Sequence, residues 1–143
     1  MMFFKKKNIE PETLSLIKIC ALLIHAAKID ENYTEAEEMI IKQTLLKLNT
    51  PKENLSNIVA KAKNIEENSI QILDFTKEVK NLSEQDKTKI VEALWSIIYS
   101  NKNADIYEAN LMRRLAGLLY IDNKTMGDIK NKIKSKIDND ISS

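Results

Sequence analysis

One pattern, a helix followed by a polar loop and a second helix, occurs twice in the chain and constrains the fold more than any other feature. The first copy spans residues 22–48 and the second spans residues 93–119. A shift of 71 residues superposes Asp30 on Asn101 in the two loops. Apolar residues on both sides of each loop recur at spacings of three and four, which is typical of amphipathic helices. The repeat therefore predicts a duplicated helical unit.

The rest of the chain also favours helices. It contains only 2 Gly and 2 Pro among its 143 residues, and Leu, Ile, Lys, Glu and Ala are abundant, so helix-favouring residues outweigh helix breakers. No stretch alternates apolar and polar residues long enough to predict a strand. A chain of this length holds about seven helices of ordinary size. We predict an all-α fold, a compact bundle of about seven helices with an internal duplication.

Several short polar motifs predict where helices begin. Thr34 followed by Glu37 forms a capping box, in which each side chain accepts a hydrogen bond from the backbone of the other. Thr50, which precedes a proline, predicts another helix start by the same reasoning. Ser83 and Asp122 are expected to cap two later helices.

The domain boundaries follow from these elements. We predict one helical domain over residues 10–137, with residues 1–9 and 138–143 as flexible termini. Phe3, Phe4 and the lysines after them leave a weak membrane association open as an alternative to a frayed end. No stretch approaches the ~20 apolar residues that cross a bilayer. We expect a cytoplasmic protein.

The charge distribution gives little support to nucleic-acid binding. The formal net charge is only +1, so no global attraction to polyanions is expected. Four lysines of the last helix lie two residues apart and therefore spread around its circumference instead of forming one basic stripe: Lys130, Lys132, Lys134 and Lys136. We expect a protein partner and no nucleic acid.

No catalytic group is apparent in the sequence. Cys20 and His25 are the only cysteine and the only histidine, and on a helix five positions separate their directions by about 140°. The thiol is expected to be a small buried hydrophobe and the imidazole to lie at the edge of the core. No nucleophile–base pair results, and we predict that the protein is not an enzyme.

The two loops contain acidic residues that suggest a cation site. Asp30 and Glu37 flank the first loop, while Asn101 and Glu108 flank the second. Carboxylates from a loop and a helix start can converge on a hard divalent cation. Glutamates at the third helical position also cap a helix and favour its positive end. The residues alone leave both interpretations open, and the metal ligands under the first one are Asp30, Glu37 and Glu108.

The second copy resembles the TerB-like family, which includes the tellurite-resistance protein TerB and the N-terminal domain of the co-chaperone DjlA. The residues that carry the resemblance are Leu94–Trp95, Tyr99, Glu108, residues 111–116 and residues 118–119. The family's loop pattern is alanine, aspartate and glycine, with a glutamate seven residues after the aspartate. In the first copy Ala27, Asp30 and Glu37 match it, with Glu31 in place of the glycine.

The second loop departs further from that pattern. It keeps Glu108 but has Asn101 in place of the aspartate and Lys102 in place of the glycine. The resemblance covers roughly residues 14–135. It implies an all-α fold with duplicated units, acidic loop positions that bind a divalent cation, and a link to tellurite or other stress resistance.

Two functions follow from these observations. In the first, a TerB-like helical domain holds a divalent cation through Asp30, Glu37 and Glu108. In the second, the domain is a protein–protein interaction module without metal, and the acidic loop residues serve only as helix caps.

Overall fold

The computed structural model describes residues 10–29, 33–69, 71–100 and 106–142, and the side chains of residues 106–109 and 139–142 lie outside this description. The described residues form seven α-helices and one 3₁₀ turn, without a strand: α1 Pro11–Ala27, α2 Glu35–Lys47, the 3₁₀ turn Lys52–Asn54, α3 Leu55–Glu67, α4 Leu73–Lys80, α5 Glu84–Ser100, α6 Ile106–Leu118 and α7 Asn123–Ser142. The predicted all-α bundle is confirmed.

Helix α1 lies at the centre of the core. It begins at Pro11, where the proline costs no helical hydrogen bond. Every residue from Ile19 to Ile24 is buried, so this part of the helix is covered on all sides. Helices α2, α3, α4 and α5 all pack against it. Full burial of each Leu or Ile side chain contributes roughly 1.5–3 kcal/mol, so α1 contributes a large share of the hydrophobic stabilisation.

Helix α5 forms the second centre of the bundle. It packs against α1, α2 and α7, and Ile90, Leu94 and Ile97 are almost completely buried. Trp95 is 6% exposed, and its ring stacks on Tyr99 with 5.9 Å between centroids. Trp95 therefore belongs to the core and Tyr99 to its edge.

The predicted duplication is visible in the backbone. Helices α1 and α5 have 17 residues each, and α2 and α6 have 13 each. A left-handed residue lies two positions after the end of each of α2 and α6: Asn49 with φ 68° and Tyr120 with φ 56°. Each of these turns closes with the same hydrogen bond, from Thr50 N to Leu45 O and from Ile121 N to Ala116 O, the arrangement of a Schellman motif.

Three predicted caps have different outcomes. Ser83 accepts a hydrogen bond from the Asp86 backbone, and Asp122 accepts one from the Thr125 backbone at 2.7 Å. The cap predicted at Thr50 is wrong. Its amide closes the turn after α2 and so belongs to the end of that helix, and Pro51 precedes the 3₁₀ turn that leads into α3.

The termini complete the chain. The predicted flexible segment 1–9 lies outside the described residues. Helix α7 continues to Ser142. The flexibility predicted for residues 138–143 stays a prediction. Within the described part of the chain, no helix is long and apolar enough to cross a membrane.

Candidate functional site

The structure describes only one of the three predicted metal ligands in full. Glu37 lies in the first turn of α2 and is buried. Asp30 lies outside the described residues, as does Asn101 in the second loop. Glu108 belongs to α6, but its side chain is outside the description. The geometry of the complete acidic set therefore stays a prediction.

Glu37 forms the predicted capping box with Thr34. The Glu37 Oε1 atom accepts hydrogen bonds from Thr34 N at 2.7 Å and from Thr34 Oγ1 at 3.1 Å. In return, Thr34 Oγ1 accepts a hydrogen bond from Glu37 N at 3.1 Å. These bonds satisfy donors that the first turn of a helix would leave unpaired. The local sequence therefore gives the Glu37 carboxylate a structural role at the start of α2.

Glu66 provides a second buried carboxylate, on α3 where that helix meets α1. Its Oε1 atom accepts a hydrogen bond from Lys28 Nζ at 2.6 Å, and Oε2 lies 3.2 Å from His25 Nδ1. The hydrogen bond to Glu66 raises the pKa of Lys28. We define His25, Lys28 and Glu66 as the Glu66 cluster, which joins α1 to α3 through charge-assisted hydrogen bonds.

Glu38 organises a neighbouring group on α2. It accepts hydrogen bonds from Lys63 Nζ at 2.8 Å and Tyr33 Oη at 3.0 Å, and Lys42 Nζ lies 3.4 Å away. The hydrogen bond from Lys63 is the main reason why the pKa of Glu38 is lowered. Burial, followed by the hydrogen bond to Glu38, raises the pKa of Tyr33. The Lys63 ammonium also lies 5.2 Å from the centroid of the Tyr33 ring.

A cleft opens between these two groups. It has a volume of about 530 Å³ and is lined by Ile24, Lys28, Tyr33, Lys63 and Glu67. Both lysines already contact carboxylates, so much of their charge is balanced within the protein. Among the described residues, no three Asp, Glu, His or Cys side chains are grouped so that they could hold a metal ion.

The environment of Cys20 does not favour a nucleophile. The side chain is fully buried, and burial is the main reason why its pKa rises to about 12. A reactive cysteine needs a stabilised thiolate. His25 is directed to Glu66, as expected for a histidine at the core edge, and Cys20 behaves as a buried hydrophobe.

Sequence reasoning missed Glu38 and Glu66, although a signal was present. Glu66 continues the buried face of α3 that includes Val59 and Ala62, at spacings of three and four. A carboxylate on such a face indicates a buried partner, because an unpaired buried charge is unfavourable. The identity of the partners, however, depends on how α1 and α3 pack.

The chain was compared with protein families, curated proteins and solved structures. The family model described as tellurite resistance protein TerB matches residues 16–131. Neither the curated proteins nor the solved structures give a significant match.

Proposed function

The chain belongs to the family of tellurite resistance protein TerB, and we propose that it is a non-enzymatic helical interaction module in the response to tellurite or other stress. The proposal places it in the cytoplasm, where it acts through a protein partner. The acidic residues of the first loop and helix start stabilise the fold in this role.

The observation that carries this proposal is the capping box at the start of α2. Oε1 of Glu37 accepts two hydrogen bonds from Thr34, and the residue is only 3% exposed. A metal ion bound to Oε1 of Glu37 would compete with those two donors for the same oxygen. The buried thiol of Cys20, whose pKa is raised, supports the non-enzymatic part of the proposal.

The second candidate function is divalent-cation binding through Asp30, Glu37 and Glu108. The family resemblance and the acidic spacing of the first loop support it. A cation bound by these residues would join the first loop to α6, with oxygen ligands that suit calcium, magnesium or manganese.

Two substitutions at Glu37 separate these functions. Glu37→Gln keeps a side chain that can complete a capping box, but it removes the charge that a divalent cation requires. Glu37→Ala removes both. If Glu37 is a cap, Glu37→Gln retains most of the stability while Glu37→Ala loses about 1 kcal/mol. Urea denaturation without added metal measures these changes.

Calorimetry with calcium, magnesium, manganese and zinc then tests the cation directly. We expect no binding below millimolar concentration for the wild type. Submillimolar binding that disappears in both Asp30→Ala and Glu37→Gln would overturn the cap-only proposal in favour of the cation site. Growth of tellurite-exposed cells with and without the protein tests the stress role, and equal tolerance in both cultures would contradict it.

A further inference from the structure

A second groove is lined by residues from both halves of the chain. It runs between α2, α5 and α7 and has a volume of about 640 Å³. This volume lies within the usual range for small-ligand sites. Neither the capping box nor the Glu66 cluster contributes to its lining.

The floor of the groove is aliphatic. It is formed by Ile40 from α2, Ala93 from α5, and Ile133 and Ile137 from α7. Ala93 and Ile133 are buried, whereas Ile40 and Ile137 are partly exposed. An apolar group placed on this floor would remove hydrocarbon surface from water, which is favourable in proportion to the area covered.

Lysines surround this floor. We define the basic rim as Lys47, Lys89, Lys132 and Lys136, which come from three different helices. Glu92 is the one carboxylate among the lining residues of the described chain. It forms an ion pair with Lys132 at 2.7 Å. The groove therefore has an excess of positive charge.

Two lysines of the basic rim are available to a ligand. Lys89 contacts Asp86 at 3.2 Å and the Lys47 carbonyl oxygen at 3.3 Å. By contrast, within the part of the chain that the structure describes, Nζ of Lys47 and Nζ of Lys136 have neither a hydrogen-bond nor an ion-pair partner. Ser96 and Tyr99 add hydroxyl groups to the lining. An anion in the groove would thus find unpaired cations and further hydrogen-bond donors.

The corresponding position in the first copy explains why this charge is unbalanced. The same shift of 71 residues, continued past the two copies into the helices that follow them, places Glu66 of α3 on Ile137 of α7. It also places Lys28 on Tyr99, and each copy is taken below together with its following helix. In the first copy the Glu66 carboxylate balances lysine charge where α1 meets α3. In the second copy Ile137 occupies that position. The one carboxylate among the described lining residues, Glu92, pairs with Lys132, so the other lysines of the basic rim exceed the negative charge.

We propose that this groove binds an amphipathic anion, with a phosphate or carboxylate headgroup on the basic rim and an aliphatic tail on the floor. Both parts of the ligand are needed. Inorganic phosphate would leave the apolar floor exposed, and an uncharged alcohol would leave Lys47 and Lys136 without a counter-charge. The inference does not rest on the stress role or on the cap-only function of Glu37.

The probe is octyl phosphate below its micelle-forming concentration, compared with octanol and with inorganic phosphate. Isothermal titration calorimetry should show saturable binding of one octyl phosphate per chain. Octanol has the same tail and phosphate has the same headgroup, and each should bind at least tenfold more weakly. Equal binding of octanol, or no octyl phosphate binding below about 1 mM, would overturn the proposal.

Substitution of two lysines on the same helix tests the location. Lys136→Gln removes an unpaired member of the basic rim and should weaken octyl phosphate binding roughly tenfold, the effect of one lost charge-assisted hydrogen bond. Lys134→Gln makes the same change of net charge outside the groove lining and should leave affinity unchanged. Equal weakening by the two variants would indicate nonspecific attraction and overturn the site.

A third variant introduces the residue type of the first copy. Ile137→Glu places a carboxylate beside the basic rim and should abolish octyl phosphate binding, while circular dichroism confirms that the helices remain. Retained affinity in this variant would contradict the assigned groove.

Sedimentation with vesicles identifies the source of the headgroup. The probes are vesicles of phosphatidylcholine alone and of phosphatidylcholine with phosphatidylglycerol. Vesicle binding that requires phosphatidylglycerol and is lost in Lys136→Gln assigns the ligand to an anionic lipid. Octyl phosphate binding without vesicle binding assigns it to a soluble anion.

Discussion

The two copies of the repeat have the same backbone plan but join their first and third helices differently. In the first copy, α1 meets α3 through the Glu66 cluster, in which one buried carboxylate contacts His25 and Lys28. In the second copy, Ser96, Tyr99 and Ile137 occupy the equivalent positions where α5 meets α7. In the first copy both lysines at the cleft pair with carboxylates. In the second copy Glu92 of α5 pairs with Lys132 of α7, and the other lysines of the basic rim outnumber the carboxylates that line the groove.

This difference shows which features the duplication conserves. The two copies keep the lengths of their first two helices, their left-handed turns and the apolar positions that face the shared core. Polar residues at the helix–helix contacts have diverged, since several solutions satisfy a surface contact but few fill a close-packed core. The candidate binding chemistry therefore differs between two halves of similar architecture.

The largest expected effect tests the shared core. Leu23 and Leu94 are equivalent under the repeat, and both are fully buried. We expect Leu23→Ala and Leu94→Ala each to lower the free energy of unfolding by about 3–5 kcal/mol, because each removes apolar contact and leaves a cavity. Urea denaturation measures both values. A large loss in only one variant would show that the two copies do not contribute equally to one core.

The next effect tests the Glu66 cluster. Glu66→Ala should cost about 1–2 kcal/mol, because two hydrogen-bonded partners lose their carboxylate while remaining partly solvated. Glu66→Ile introduces the residue found at position 137; it removes the same carboxylate but keeps apolar contact between α3 and α1, so it should cost about 0.5–1 kcal/mol less than Glu66→Ala. The exposed neighbour provides the control, Glu67→Ala. If Glu66→Ile costs as much as Glu66→Ala, the first copy requires the carboxylate itself.

The turns that end α2 and α6 give a smaller effect. Asn tolerates the left-handed conformation, whereas Tyr is strained in it. Tyr120→Gly should therefore stabilise the protein by about 0.5–1 kcal/mol, and Asn49→Gly should change stability by only a few tenths. Thermal melting compares the two variants. A gain at Asn49 that equals the gain at Tyr120 would argue against this strain.

The smallest effect depends on pH and tests Glu38. The equivalent residue in the second copy is Ala109, so the effect belongs to the first copy alone. The hydrogen bond from Lys63 lowers the pKa of Glu38 below its ordinary value of 4.5. The stabilisation that the ionised Glu38 carboxylate gives to the folded state is therefore complete above pH 4.5. It is lost as pH falls through the folded-state pKa.

Comparison with Glu38→Gln isolates this contribution. The wild type should exceed the variant in unfolding free energy by less than about 1 kcal/mol at neutral pH, since the pair is partly exposed. That difference should shrink below pH 4.5 in urea titrations at several pH values. A difference that is constant down to pH 3 would exclude titration of Glu38 as its cause.

Much of the fold could be predicted from local patterns. Helical spacing identified the buried faces of α1 and α5, and the capping signals at Thr34, Ser83 and Asp122 gave correct helix starts. The cap predicted at Thr50 was wrong because the residues that close the turn after α2 resemble a helix start. Here the Schellman turn, which depends on the backbone conformation of Asn49, took precedence over the capping pattern.

The candidate sites could be predicted only in part. The capping role of Glu37 follows from residues three positions apart and does not depend on the tertiary structure. The Glu66 cluster joins residues about forty positions apart, and only its position on a buried helical face gave a signal. The predicted convergence of Asp30 and Glu108 on a cation stays a prediction.

The amino-acid sequence alone determined the helical content, the duplication and the capping box, because each depends on spacing within a few residues or on direct comparison of two stretches. Tertiary structure alone decided where the charges meet. The lysines of α7 spread around their helix, yet Lys132 and Lys136 face the same groove as Lys47 and Lys89. No local pattern contains this arrangement, because a side chain's electrostatic surroundings depend on which helices pack beside it.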